Sequence, residues 1–336
     1  MMNAIEIESP ARLHLGFIDP AGSAGRRFGS LGLAVDGLST RLRLSRAASP
    51  RDAWRVASAA ARPELERAHK HLAQLARHFD FHTPLALELL EAIPPHAGLG
   101  SGTQLALALG YGLARLAGQR LPAQEIAALT ERGARSGIGI GAFEQGGFVV
   151  DGGRGEATLV PPIVARFDFP AAWRVILIFD ATYVGLHGAE EIAAFRRLPP
   201  FPAERAGRLA QLTLMNILPG IAELDFSLFG PALTEIQATV GDHFAPAQGG
   251  RFASPRVAGW LRWFADQGAV CLGQSSWGPT GFVITASATA AHDLLTAAKA
   301  ARRADDPVRF RSVSGRNIGA RINEFDNAED TLLLAS

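Results

Sequence analysis

Apolar and polar residues alternate from Ala4 to Ile18, the period-two signature of a strand with one buried face. Leu31 to Leu44 continues the alternation, broken at Asp36-Gly37, a dipeptide that predicts a hairpin turn. From Pro63 to Phe79 the apolar spacing changes to three and four, which predicts an amphipathic helix. Alternation returns from Pro84 to Ile93, where Leu85, Leu87 and Leu89 share a face. An apolar helix is predicted from Thr103 to Leu116. A second runs from Pro122, well suited to a first helical turn, to Ala134. The second half opens on a strongly apolar strand, Trp173 to Asp180. Helical spacing follows at Ala189–Arg197, Ala203–Leu218, Ala232–Val240 and Pro255–Gln267. A strand at Gly278–Thr285, a helix at Ala288–Arg303 and a strand at Val308–Val313 complete the pattern. Strands and helices do not alternate regularly, so the expected class is α+β. Pro161, Pro162 and Pro170 mark a boundary and divide the chain into domains 1–165 and 166–336.

Composition narrows the function classes. Hydrophobic residues make up 48% of 336, enough for a sizeable core. The 33 basic and 32 acidic residues nearly cancel, and no basic cluster stands out, so a nucleic-acid partner is not expected. Cys271 is the single cysteine, in an apolar run, which fits an inert buried thiol and a cytoplasmic location. The start, Met1-Met2-Asn3-Ala4-Ile5-Glu6, lacks the pattern of a signal peptide. No apolar run reaches the ~20 residues of a membrane span, so no membrane partner is expected.

The strongest chemical signal is Gly98-Leu99-Gly100-Ser101-Gly102-Thr103-Gln104, between a predicted strand and a predicted helix. Glycines let backbone amides approach an anion without side-chain clash, and the helix dipole favours negative charge there. Ser101 and Thr103 add hydroxyl donors. No lysine follows the last glycine, so this is not a Walker loop, and the spacing is wrong for a dinucleotide fingerprint. The six histidines of the first half, His14, His69, His71, His78, His82 and His96, show no zinc spacing.

Pro94 to Gln104 resembles the second motif of the GHMP kinases, and Pro10-Ala11-Arg12-Leu13-His14-Leu15-Gly16 resembles their first. The resemblance implies a GHMP-kinase fold of two domains. The phosphate loop lies in the first, a ferredoxin-like domain forms the second, and the active site lies in the cleft between them. Two departures stand out. Ser136-Gly137-Ile138 leads to Gly139, where many of these kinases carry a catalytic aspartate. The late glycine cluster is replaced by Gln274-Ser275-Ser276-Trp277-Gly278-Pro279-Thr280-Gly281. The Arg12–Gly16 string, the block Gly137–Gly153 and Gln274–Gly281 resemble a narrower family, the β-ribofuranosylaminobenzene 5′-phosphate synthases. That resemblance implies a pentosyltransferase of methanopterin biosynthesis. It joins 4-aminobenzoate to phosphoribosyl diphosphate with release of carbon dioxide and diphosphate, and it implies a homodimer.

On this reading the loop Gly98–Gln104 holds a phosphate group of the donor, with Mg²⁺ neutralising the leaving group. Arg12, Arg26 and Arg27 are candidates for phosphate or carboxylate contacts, the last two weighed against a solvated loop. His14 is a candidate site residue or a core histidine. Glu144 lies in a glycine-rich apolar block, where a charge needs a purpose. It is expected to bind Mg²⁺ or stabilise the transition state. Asp151 is a second metal candidate, or the cap of the Asp151-Gly152-Gly153 turn. Ser275, Ser276 and Trp277 are expected to line the aminobenzoate pocket, with a core tryptophan as the other reading. An ATP-dependent small-molecule kinase of the same fold is the competing function, and a catalytically inactive ligand sensor is a third.

Overall fold

The computed structural model describes residues 2–47, 54–56, 61–183 and 198–326. Strands β1 (Ala4–Asp19) and β2 (Phe28–Arg46) pair antiparallel and form the spine of a seven-stranded sheet. Beyond β2 lie β4 (Leu85–Glu91) and then β3 (Trp54–Val56). The far end of β2 instead pairs β5 (Phe148–Asp151), which pairs β6 (Ile163–Phe167). The last described strand, β11 (Arg321–Phe325), returns to pair with β1. A second sheet is built from β7 (Arg174–Asp180), β8 (Leu272–Gln274), β9 (Gly281–Thr285) and β10 (Val308–Val313), in the order β10-β7-β9-β8. Helices separate β7 from β8 and β9 from β10, so this half has the split βαββαβ order of ferredoxin-like units.

Four helices belong to the first half: α1 (Glu64–His78), α2 (Ser101–Leu116), α3 (Ala123–Leu129) and α4 (Ile138–Glu144). Most positions of α2 are buried, because α1 covers one side and the β1–β2 spine the other. Its leucines at 105, 107, 109 and 113 are all buried, and each contributes about 1.5–3 kcal/mol of apolar burial. In the second half α5 (Ala203–Leu212) leads through a π-helical segment (Thr213–Ile217) into α6 (Leu218–Ala222). Then come α7 (Phe226–Gln248), α8 (Pro255–Asp266) and α9 (Ala288–Ala301). One core, including Leu13, Leu33, Leu177 and Phe229, joins the two halves across the inner sheet faces.

Several predicted elements change on folding. Asp36-Gly37 is a bulge rather than a hairpin: the register jumps so that Pro10 faces Ser39 but Ala11 faces Val35. The irregularity switches faces on β1. Ile5 and Ile7 pack with α2, whereas Leu13 and Leu15 join the core shared with the second half. The helix predicted to Ala134 stops at Leu129, where Thr130 Oγ1 bonds back to the Ile126 carbonyl and Glu131 turns to positive φ. The helix predicted over Ala203–Leu218 widens into the π segment, next to Pro219, which has no N–H to continue an α pattern. The Ala232–Val240 prediction covers only the middle of α7, which begins on an Asp225 side-chain cap. The proline-rich stretch 160–170 contains β6. Strands β8 and β11 and the glycine-rich helix α4 have no strong signature in the sequence. The segment Ala189–Arg197 lies outside the described residues.

Candidate active site

The glycine-rich loop Gly98–Gln104 is held from two sides. β1 presents Arg12, whose backbone N–H donates to the Leu99 carbonyl at 3.1 Å. Its guanidinium Nη1 donates to the Gly98 carbonyl. A β-carbon on Gly100 would meet the Arg12 side chain at 3.2 Å, so the loop lies directly on that side chain. Gly98 and Gly100 are both left-handed, at φ 78° and 85°, a backbone region that favours glycine. From the other side, the β8–β9 turn closes on the loop. Ser275 is fully buried; its hydroxyl donates to the Gly98 carbonyl at 2.8 Å and accepts from the His14 N–H at 3.0 Å. The Ser276 N–H donates to the His14 carbonyl at 3.1 Å. Three separate stretches of chain, around Arg12, Gly98 and Ser275, thus form one hydrogen-bonded unit.

The loop opens α2, whose first turn carries no acidic residue and no side-chain cap. The Thr103 N–H bonds the Gly100 carbonyl at 3.0 Å, so the helix dipole and the Ser101 and Gly102 amides are what favour an anion there. Gln104 is buried and donates through Nε2 to the Gly139 carbonyl at 2.8 Å, tying α2 to α4. Gly139 itself packs on Thr103.

Two arginines that the sequence did not single out lie over this helix start. A β-carbon built on Gly102 would be 3.6 Å from Arg132 Nη1 and 3.9 Å from Arg67 Nη1. Arg67 donates to His96 Nε2 at 3.0 Å and pairs with buried Glu64 at 3.3 Å. Arg132 Nη2 faces His71 Nε2 at 3.4 Å. Burial, then the charge of Arg132, pushes the His71 pKa down to about 4. Burial lowers the Arg132 pKa as well, and Arg67 adds to the effect. Burial raises that of Glu64. The available signal was Glu64 and His71 among the buried positions of α1, polar groups on a stripe that should be apolar.

The other expected site residues are distributed unevenly. His14 is buried beside Phe17, with ring centroids 4.7 Å apart. Burial, and then Arg12 and Arg135, hold its pKa down to about 3, so it is neutral. Arg26 and Arg27 are exposed and do not join the loop. Arg26 instead donates to the carbonyls of Gly152 and Gly153, both at 2.7 Å, and so fastens its own loop to the β5 end. Trp277 is 5% exposed and packs with Phe17, Phe28 and Phe244, so its ring belongs to an aromatic core cluster rather than an open face.

The two expected metal residues, Glu144 and Asp151, both accept hydrogen bonds from backbone N–H groups. Glu144 is exposed, and its carboxylate accepts from the Ala123 N–H at 3.0 Å, capping α3 from outside. Asp151 is buried and surrounded by donors: the Ser30 and Ser136 hydroxyls and the N–H groups of Gly137 and Gly153. Its Oδ1 accepts from the Gly153 N–H at 2.9 Å, the geometry of a turn cap. Burial raises its pKa, against the effect of these hydrogen bonds. Among the described residues no group of three His, Cys, Asp or Glu converges.

A glycine-rich loop clamped between a long β-hairpin and a ferredoxin-like half defines the class, and comparison with known proteins agrees. The profile described as GHMP kinases N terminal domain matches residues 64–147, and that described as GHMP kinases C terminal matches 217–304. Among solved structures, mevalonate diphosphate decarboxylase from Staphylococcus aureus is similar with a TM-score of 0.66 at 13% identity, covering 96% of this chain and 99% of that one. Homoserine kinase from Cytophaga hutchinsonii is similar at 0.60 and 16%, covering 96% and 98%. At these identities the likeness concerns the fold. Sequence relatives are more specific. β-Ribofuranosylphenol 5′-phosphate synthase from Methanothermobacter thermautotrophicus is 30% identical over 301 residues, 85% of this chain and 90% of that protein. Its counterpart from Archaeoglobus fulgidus is 31% identical over 303 residues, 84% and 88%. The chain belongs to this synthase family.

Proposed function

We propose that the protein is a decarboxylating pentosyltransferase that joins 4-aminobenzoate to phosphoribosyl diphosphate, giving β-ribofuranosylaminobenzene 5′-phosphate, carbon dioxide and diphosphate. The relatives' names specify a phenol rather than an aminobenzene. Both rings carry a para substituent that donates electrons, and the chemistry is the same for either. The donor substituent pushes density to the ring carbon bearing the carboxylate. That carbon forms a bond to the anomeric carbon as the anomeric C–O bond breaks, and the electron pair leaves with diphosphate. The bond to the carboxylate then breaks, its electrons restore the aromatic ring, and carbon dioxide departs.

No protein nucleophile or base enters this sequence. The observation that carries the reading is Gly139 beside the glycine-rich loop, packed so closely on Thr103 that any side chain there must displace it. The protein's task is to hold the leaving group and position the ring, so positioning and electrostatics supply the rate gain. Loop amides at the α2 N-terminus bind the donor's phosphates, and Arg12 holds the loop in shape. A Mg²⁺ ion carried on those phosphates needs few protein ligands.

The test incubates the purified chain with Mg²⁺, phosphoribosyl diphosphate and 4-aminobenzoate, and follows diphosphate and carbon dioxide. A parallel arm substitutes 4-hydroxybenzoate. A third offers ATP and an alcohol acceptor. Formation of both products with either benzoate supports the transferase. ADP release without them would establish the kinase instead.

A further inference from the structure

The guanidiniums of Arg67 and Arg132 come from different elements, α1 and the turn after α3, yet a terminal nitrogen of each lies within 4 Å of one point above Gly102. Like charges brought so close repel, and partial burial strips water from Arg132. Glu64 pairs with Arg67, and the charges of Glu131 and Glu64 also reach Arg132, whose guanidinium faces the neutral ring of His71. Beneath them the uncapped start of α2 adds further positive potential. Of the two, only Arg67 makes a direct ion pair among the described residues; Arg132 has none. Gly102 leaves the helix bare beneath them: a β-carbon there would already touch both guanidiniums, at 3.6 and 3.9 Å. We propose that Arg67 and Arg132 form an anion-binding arm over Gly102 that grips the diphosphate of the donor, so that the leaving charge meets guanidinium groups rather than a protein-held cation. Each planar fork donates paired hydrogen bonds to phosphate oxygens, which suits a diphosphate better than a single point charge does.

The identity of the anion rests on the synthase reading; the existence of the subsite does not. The experiment is therefore a binding measurement without turnover: calorimetric titration of the full chain with inorganic diphosphate. Arg132→Gln removes one arm. Arg67→Gln is made together with Glu64→Gln, so that no buried carboxylate is left unpaired. Each should weaken diphosphate binding about 10- to 100-fold while leaving 4-aminobenzoate affinity unchanged. Arg132→Lys should recover part of the loss. Gly102→Asp places a carboxylate where the anion would sit. It should abolish diphosphate binding and raise the melting temperature, because the new charge satisfies both guanidiniums and the helix dipole. Diphosphate affinity within about twofold of the parent in all variants would overturn the proposal, as would a parent chain that does not bind diphosphate. A chain that binds diphosphate through these residues but makes no ribosylated product would remove the synthase reading and leave the subsite standing. Turnover with diphosphate affinity untouched by the substitutions would do the reverse.

Discussion

A β-carbon on Gly139 would lie 2.8 Å from Cγ2 of Thr103, closer than two carbons pack. This contact joins α4 to the first turn of α2, next to the phosphate loop. It gives the missing kinase carboxylate a structural meaning: any side chain at this position has to displace Thr103. Gly139→Ala should gain about 0.5–1 kcal/mol of helix propensity and lose about 1–3 kcal/mol to overpacking, a net destabilisation measurable by urea unfolding. Gly139→Asp should be less stable still and should not produce ADP from ATP with any alcohol acceptor. Acquired ATP-dependent phosphotransfer would show that the helix spacing is not what closes the kinase route.

Ser275→Ala removes a hydroxyl that serves two buried backbone groups, the Gly98 carbonyl and the His14 N–H. The Gly98 carbonyl keeps its bond from Arg12, so the cost of about 1–3 kcal/mol falls on the unpaired His14 N–H. The loss should appear as lower unfolding free energy together with a raised KM for the phosphoribosyl donor, because the same hydroxyl sets the loop. An unchanged KM would mean that Arg12 alone holds Gly98 in place.

Glu144→Gln should keep turnover close to that of the parent and cost under about 1 kcal/mol of stability, since an exposed side chain loses only the charge on its bond to Ala123. Abolished turnover in a folded variant would return Glu144 to the chemistry and require the α3 end to reach the substrate.

Acid should destabilise the fold in a window set by its buried histidines. His14 is held at about 3 and His71 at about 4, below the ordinary 6.5. The unfolded chain therefore binds extra protons below pH 6.5. Stability from these groups is complete above that value and drains as pH falls towards 4 and 3, with His14 contributing a slope of about 1.4 kcal/mol per pH unit. Asp151 and Glu64, held above their usual values, act in the opposite sense, so the effect is isolated by comparison with a His14→Asn variant. Urea unfolding at pH 7, 6 and 5 should show a shallower pH dependence in the variant. Identical slopes would mean that His14 takes up its proton without unfolding.

The sequence by itself determined the glycine-rich loop, the long strands before it and the helix after it. Those signals are local: glycines where φ must be positive, apolar spacing at period two or at three and four. Gly139 was legible too, as an absence of the expected carboxylate. Tertiary structure decided which charged groups gather round the loop. Arg67 and Arg132 reach Gly102 because α1 packs along α2 and the turn after α3 folds back over it, contacts between residues far apart in sequence. Likewise, Glu144 looked functional because its neighbours are glycine-rich and apolar. Folding made a helix of that block and left Glu144 at its exposed end, beside α3. Helix α4 escaped detection for the same reason: its glycines disfavour a helix locally, and the close packing they allow against Thr103 and Ile163 appears only in the assembled chain.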